Sequence, residues 1–216
     1  MKTNIRPNRK IAAFSMIEMI GVLAVIAILA ALLIPKVFDA INSAKINNTA
    51  SALNTVKTAV VTHFGKYGAL NSWSGGTIDP ANFATAKEAV GYDTNVLVVE
   101  RIMDKPFEAK IGTGACIELV AVKAPAPTGA GGSYWLSGQS SDGAPVNDTA
   151  PASMIVQAHL LNVPINDAIE LSRCIDGTTL GTNVAAAADV WGRVQYAKPA
   201  TATPGVTDVF VYMESK

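Results

Sequence analysis

Twenty-one consecutive residues, Phe14 to Ile34, carry only two polar side chains, Ser15 and Glu18. At 1.5 Å rise per residue, a helix of that length measures about 31 Å, enough to cross a bilayer's hydrocarbon core. No later run reaches the ~18 apolar residues that a second span requires. The leader in front of it, MKTNIRPNRKIAA, holds Lys2, Arg6, Arg9 and Lys10 and no acid. Basic residues stay on the cytoplasmic side, so the chain beyond Pro35 is expected to be translocated. Glu18 is the anomaly of the segment. Lipid makes an unpaired charge expensive, and an acid inside a span therefore marks a function and needs a partner.

An ordinary secretory signal peptide is the simpler account of a basic leader followed by an apolar run, and it fits poorly. The run exceeds the h-region length of about 7–15 residues. No small-residue cleavage site followed by polar sequence lies at its end, where Pro35-Lys36 simply continues. The small pair Ala12-Ala13 instead precedes the apolar run. A cut after Ala13 removes the basic leader and keeps the helix.

From Lys36 to Phe64 the chain has no Gly and no Pro. Val37, Ile41, Ala44, Ala52, Val56, Val60 and Phe64 recur at helical steps, which predicts an amphipathic helix continuing the first. Gly65 and Gly68 are its expected stop, and Pro35, which cannot donate an intrahelical hydrogen bond, is expected to kink the join. The remainder is expected to form the head. Asn71–Phe83 has loop chemistry, and Thr85–Val90 suggests a short helix. Val96–Val99, Cys116–Val122 and Ser133–Ser137 read as strands, and Met154–Leu161 fits strand or helix equally. Ile165, Ala168, Ile169 and Leu171 have helical spacing that ends at Asp176-Gly177. Val190–Tyr196 and Val209–Tyr212 read as a closing strand pair. The expected class is α+β: a long N-terminal helix, transmembrane then amphipathic, laid on an antiparallel β-sheet head. The expected divisions are 1–13 (leader), 14–35 (membrane helix), 36–67 (amphipathic helix) and 68–216 (head).

Charge and composition remove several classes. All seventeen acids follow the leader; without it, thirteen bases face them, a net charge of −4. That body has no basic footprint for nucleic acid. On the translocated, oxidising side Cys116 and Cys174 could form the one intramolecular disulfide that two cysteines allow, worth roughly 4 kcal/mol by loop-closure entropy; two buried free thiols are the alternative. Cys116, Cys174 and His159 could in principle hold zinc, but none shows close ligand spacing, and His63 and His159 read as surface or core histidines, so no metal and no cofactor are expected. The Gly129–Gly132 stretch lacks the Lys-Ser/Thr of a phosphate loop. No nucleophile elbow accompanies the serines and histidines, and no enzymatic activity is expected.

Phe14-Ser15-Met16-Ile17-Glu18, leading an apolar helix to Pro35 behind a basic leader, resembles the amino-terminal signature of type IV pilins and type II secretion pseudopilins. In that family a membrane peptidase cuts before a Phe or Met and methylates the new amine. The mature chain then has its acid at the fifth residue and commonly a Pro at the twenty-second. A cut between Ala13 and Phe14 places Glu18 and Pro35 at those two positions. Ala13 departs from the Gly that usually precedes the cut, though it is small enough for a tight protease subsite. Ala27 stands where many relatives have a second helix Gly. The resemblance covers roughly the first 65 positions; in the head, Asp189-Val190-Trp191-Gly192 with Tyr196 resembles a D-x-W-G…Y stretch of pseudopilins, and equally fits a buried Trp with Gly at a turn. What the resemblance implies is a filament subunit held in the inner membrane with its head outside the cytoplasm, then assembled into a periplasmic pseudopilus or a surface pilus. Its implied partners are other copies of itself, related pilins, the prepilin peptidase and an inner-membrane assembly platform. Phe14 would carry the N-methyl group, and Glu18 would set register by pairing with the amine of a neighbouring copy. The contrasting expectation is a membrane-anchored extracytoplasmic binding protein or enzyme that keeps its leader and does not polymerise.

Overall fold

Helix α1 runs from Met16 to Tyr67 in the computed structural model, which describes residues 14–78, 90–121, 134, 136, 154–180, 188–197 and 205–215. The chain divides into two units, 1–42 and 43–216. In the first, every large apolar side chain from Phe14 to Ile41 is between 45% and 82% exposed. One stretch of α1 is long and apolar enough to cross a membrane. Helix α1 continues through Pro35, whose ring nitrogen supplies no N–H to the helix.

In the second unit α1 turns one face inward, which shares Val56 and Val60 with the expected stripe, with Ala52 and Phe64 packed at its edge, and departs from it elsewhere. Ile46, Thr49, Ala50, Leu53, Val56, Ala59, Val60 and His63 are buried, at three- and four-residue steps. Val37 and Ile41, which set the predicted phase, are 45% and 47% exposed. Two polar residues inside the stripe disguised it. Thr49 Oγ1 donates to Lys45 O (2.9 Å) and accepts the Lys110 backbone N–H (3.1 Å), so its hydroxyl is satisfied within the core. His63 is fully buried against Tyr67 and Tyr92, at ring-centroid distances of 4.8 and 5.7 Å. Gly65 lies within the helix, and Gly68 ends it: its φ of 70° and its N–H to Phe64 O (2.8 Å) form a left-handed cap.

After α1 come two short antiparallel strands, β1 (Ser72–Trp73) and β2 (Gly76–Thr77). The Val96–Val99 run is not a strand. Asp93–Leu97 forms a single π-turn that buries Val96 and Leu97 and leaves Val99 57% exposed. Tertiary hydrogen bonds fix it: Asp93 Oδ2 accepts the Phe107 N–H (2.7 Å), and the neighbouring Tyr92 OH donates to Leu70 O (2.7 Å). Just beyond, Glu100 gathers the end of α1, accepting from Lys66 Nζ (2.8 Å), Tyr67 OH and the Ser74 N–H (2.8 Å). Lys66, foremost, and Ser74 hold the Glu100 carboxyl well below its usual range.

The main sheet is antiparallel in the order β3-β4-β6-β5, with β3 Gly114–Ala121, β4 Met154–Pro164, β5 Val194–Tyr196 and β6 Val206–Ser215. Helix α2, Ile165–Leu180, joins β4 to β5 and departs from helical geometry at Gly177 (φ 76°), next to the expected end. The class is thus α+β, a long apolar-to-amphipathic helix followed by an antiparallel sheet. Strand alternation splits the sheet into two faces. Ile117 and Leu119 of β3, Ala158 and Leu160 of β4, and Val209, Val211 and Met213 of β6 join one cluster with Leu53, Val56 and Val60 of α1 and Ala168 and Leu171 of α2. The opposite face carries a smaller cluster, Val120, Ile155 and Tyr212 with Tyr134. The expected short helix over Thr85–Val90 lies outside the described residues except for Val90, which bridges Glu118; the expected Ser133–Ser137 strand lies mostly outside them.

Candidate functional site

Ser15 and Glu18 form a closed pair at the start of α1. Glu18 Oε2 accepts the Ser15 backbone N–H and the Ser15 hydroxyl, each at 2.8 Å. In return the Glu18 N–H donates to Ser15 Oγ at 3.3 Å. This is a capping box, in which residues three apart satisfy each other's orphan donors. S-x-x-E before an apolar run is its sequence signature, and the reading of Glu18 as an isolated charge overlooked it. The carboxylate therefore has a partner within its own chain, one residue away from Phe14, whose side chain is 78% exposed. Ala13 lies outside the described residues.

The head supplies a second constellation. Cys116 and Glu118 alternate along β3, opposite His159 and Gln157 of β4 in register. All four therefore project from the face away from α1. His159 Nδ1 lies 2.8 Å from Glu118 Oε1, and the Cys116 thiol donates to the same oxygen at 3.4 Å. Gln157 Nε2 donates to Glu118 Oε2 at 3.2 Å, and Tyr134 OH donates to Gln157 Oε1 at 2.9 Å. On its other side His159 Nε2 faces Asp208 Oδ2 at 3.5 Å, and Phe210 stacks on the ring with centroids 4.3 Å apart.

Electrostatics follow from that geometry. Burial opposes ionisation of Glu118, yet the hydrogen bonds from His159, Gln157 and Cys116 outweigh it and lower its pKa. Burial likewise disfavours the imidazolium of His159, but Glu118 and then Asp208 more than compensate and raise its pKa. Burial, then the Glu118 charge, push the Cys116 thiol up to about 12, which is the opposite of an activated nucleophile. His63 behaves differently: burial lowers its pKa and Ser72 and Glu100 only partly offset this.

These shifts predict opposite pH signatures. His159 holds its proton more tightly folded than unfolded, so its contribution is complete below its usual 6.5 and fades as pH rises through the raised value. The Glu118 contribution is complete above its usual 4.5 and fades as pH falls through the lowered value. For His63 the stabilising form is neutral, so stability is lost as pH falls below 6.5. His159→Gln should therefore flatten the loss of thermal stability on the alkaline side of pH 6.5, whereas His63→Phe should flatten a loss on the acid side. Melting temperatures between pH 4 and 9 check both, and identical profiles for the two variants would contradict the assignment.

The expected disulfide is not formed: Cys116 and Cys174 are both free. Cys116 belongs to the sheet face away from α1. Cys174, on α2, instead approaches Asn47 of α1, Sγ to Oδ1 3.5 Å, so the sheet separates the thiols. The Asp189–Tyr196 stretch has a structural role. Asp189 and Tyr196 exchange backbone hydrogen bonds of 2.9 and 3.0 Å, and the Asp189 carboxylate accepts from Ser172 Oγ (2.8 Å) and the Trp191 N–H (3.2 Å). Gly192 has φ 78°, and a Cβ there would lie 2.5 Å from Asp176 Oδ2, which accepts the Val194 N–H. Trp191 itself is half-buried rather than buried. No protein-family model, curated protein or solved structure matches the chain.

Proposed function

We propose that this chain is a pilin-like filament subunit, anchored by the Phe14–Ile34 helix, trimmed between Ala13 and Phe14, and assembled with other copies of itself. One observation carries the reading. An exposed apolar helix begins with a single acid, directly after a basic leader that ends in small residues. In the membrane this helix is an anchor. In a filament, removed from lipid, its apolar surface packs against the same surface of neighbours, and packing supplies most of the cohesion. Glu18 then meets the amine of Phe14 of another copy in a low-dielectric core, where a pair fixes register more than it adds stability. The β-sheet head stays outside the cytoplasm, following the basic leader.

The Ser15–Glu18 capping box favours the second reading, a membrane-anchored extracytoplasmic binding protein or enzyme that does not assemble, because it satisfies Glu18 without a neighbour. Mass spectrometry of the chain purified from membranes separates the two. A mature chain beginning at Phe14, lighter by Met1–Ala13 and heavier by one methyl group, is the expected result. A chain that retains Met1–Ala13, or one cut after Ile34, would overturn the filament reading.

A further inference from the structure

We propose that Cys116, Glu118 and His159 form a binding site for a transition-metal dication of the zinc type on the face of the sheet away from α1. Their donor atoms all lie within 4.8 Å of one another. A tetrahedral zinc ion with bonds of about 2.3 Å to sulfur and 2.0–2.2 Å to nitrogen and oxygen sets its ligand atoms about 3.4–3.6 Å apart. The Cys116 Sγ to Glu118 Oε1 distance of 3.4 Å already has that value. The 2.8 Å between His159 Nδ1 and Glu118 Oε1 must open by about 0.6 Å and the wider separations, up to 4.8 Å, must close, which calls for side-chain rotation on binding. Sequence spacing concealed the set because its members come from two strands joined only by register.

What distinguishes the cluster from an ordinary ion pair is the layer behind it. Metal-bound histidines usually direct the second ring nitrogen to a carboxylate, and bound carboxylates are themselves hydrogen-bonded. Here His159 Nε2 faces Asp208 at 3.5 Å. The far oxygen of Glu118 is held by Gln157, which is held in turn by Tyr134. Gln157 and Tyr134 are 2% and 0% exposed, so that bracing is built into the core. Phe210 fixes the plane of the imidazole. Tyr134 and Gln157 thus leave Glu118 Oε1 turned toward the thiol and the imidazole.

The donor chemistry selects the ion. A thiolate with an imidazole and one carboxylate suits zinc or cobalt, while calcium and magnesium prefer oxygen ligands throughout. Binding displaces the Cys116 thiol proton and leaves His159 neutral with its remaining proton on Nε2, toward Asp208. A dication then meets two negative ligands, and the bound site carries no net charge. Three protein ligands leave the fourth position to water, beside the His159 and Asp208 side chains, which are 19% and 45% exposed. Bound metal would tie β3 to β4 across the sheet.

The test uses the full chain in detergent, reduced and stripped with a chelator, then dialysed against zinc or cobalt. One zinc per chain is expected by elemental analysis, and cobalt should give the intense near-ultraviolet thiolate-to-metal band. Cys116→Ser and His159→Gln should abolish the band, Cys174→Ser should leave it intact, and Asp208→Asn should weaken affinity by roughly 10–100-fold. Near-ultraviolet circular dichroism of each metal-free variant separates lost binding from lost folding. A folded wild-type chain that retains no zinc and shows no thiolate–cobalt band overturns the site, as does a band that disappears with Cys174→Ser instead.

Discussion

Leu53→Ala should destabilise the head by about 3–5 kcal/mol, the upper part of the range for a fully enclosed leucine. Leu53 is completely buried and sits midway along the inward face of α1, between Ile46 and Val60, in one cluster with strands β3, β4 and β6. Truncation removes the transfer free energy of three carbons and leaves a cavity. The strands and α2 that share this cluster limit how far the walls can close. Ile41→Ala is the matched control: same helix, similar volume change, but 47% exposed, with little expected effect on head stability. Urea unfolding in detergent, followed by tryptophan fluorescence, measures both. A Leu53→Ala loss below about 1 kcal/mol would mean that α1 does not pack on the sheet as described.

The second large effect concerns Glu18, where two roles have to be separated. Glu18→Leu removes both capping and charge. Glu18→Gln keeps the capping box, since glutamine serves at that position as well as glutamate, and removes only the charge. Ser15→Ala does the reverse. If Glu18 pairs with a neighbour's amine, both Glu18 variants should reduce filament incorporation by roughly tenfold or more, as expected for an unpaired ammonium in a dry core. Ser15→Ala should assemble nearly normally, and membrane insertion should survive in all three. Sheared-filament yield against membrane-bound subunit is the readout. Normal incorporation of Glu18→Gln would reduce Glu18 to a helix cap.

The sequence showed most where structure is encoded in contiguous residues. Phe14–Ile34 is legible as a helix because composition alone specifies it, and β3, α2 and the β5–β6 pair follow from local alternation or spacing. The errors came where distant partners decide. Val96–Val99 has strand composition, but Asp93's bond to Phe107 and Tyr92's bond to Leu70 hold the preceding residues in a π-turn. In α1 the spacing identifies Val56 and Val60, with Ala52 and Phe64 at the edge of the core, but extends the stripe to the exposed Val37 and Ile41 and passes over Thr49 and His63. Thr49 is buried with its hydroxyl bonded both to Lys45 in its own helix and to Lys110, far along the chain. The Cys116–Glu118–His159 cluster needed the β3–β4 register, and the Cys116–Cys174 pairing failed for want of the same information. By contrast, the Ser15–Glu18 capping box was available from spacing alone.

Glu100 has a mechanical consequence. Any pull on the apolar part of α1 reaches the head along a helix whose last turn is fastened through Lys66 and Tyr67 to this one carboxylate, itself tied to Ser74. Load is therefore shared between the buried side chains from Ile46 to His63, which resist as a set in shear, and a terminal clasp that stops the helix end from unwinding. Tension applied at one end of α1 would be spread across the fold before any single strand had to give way.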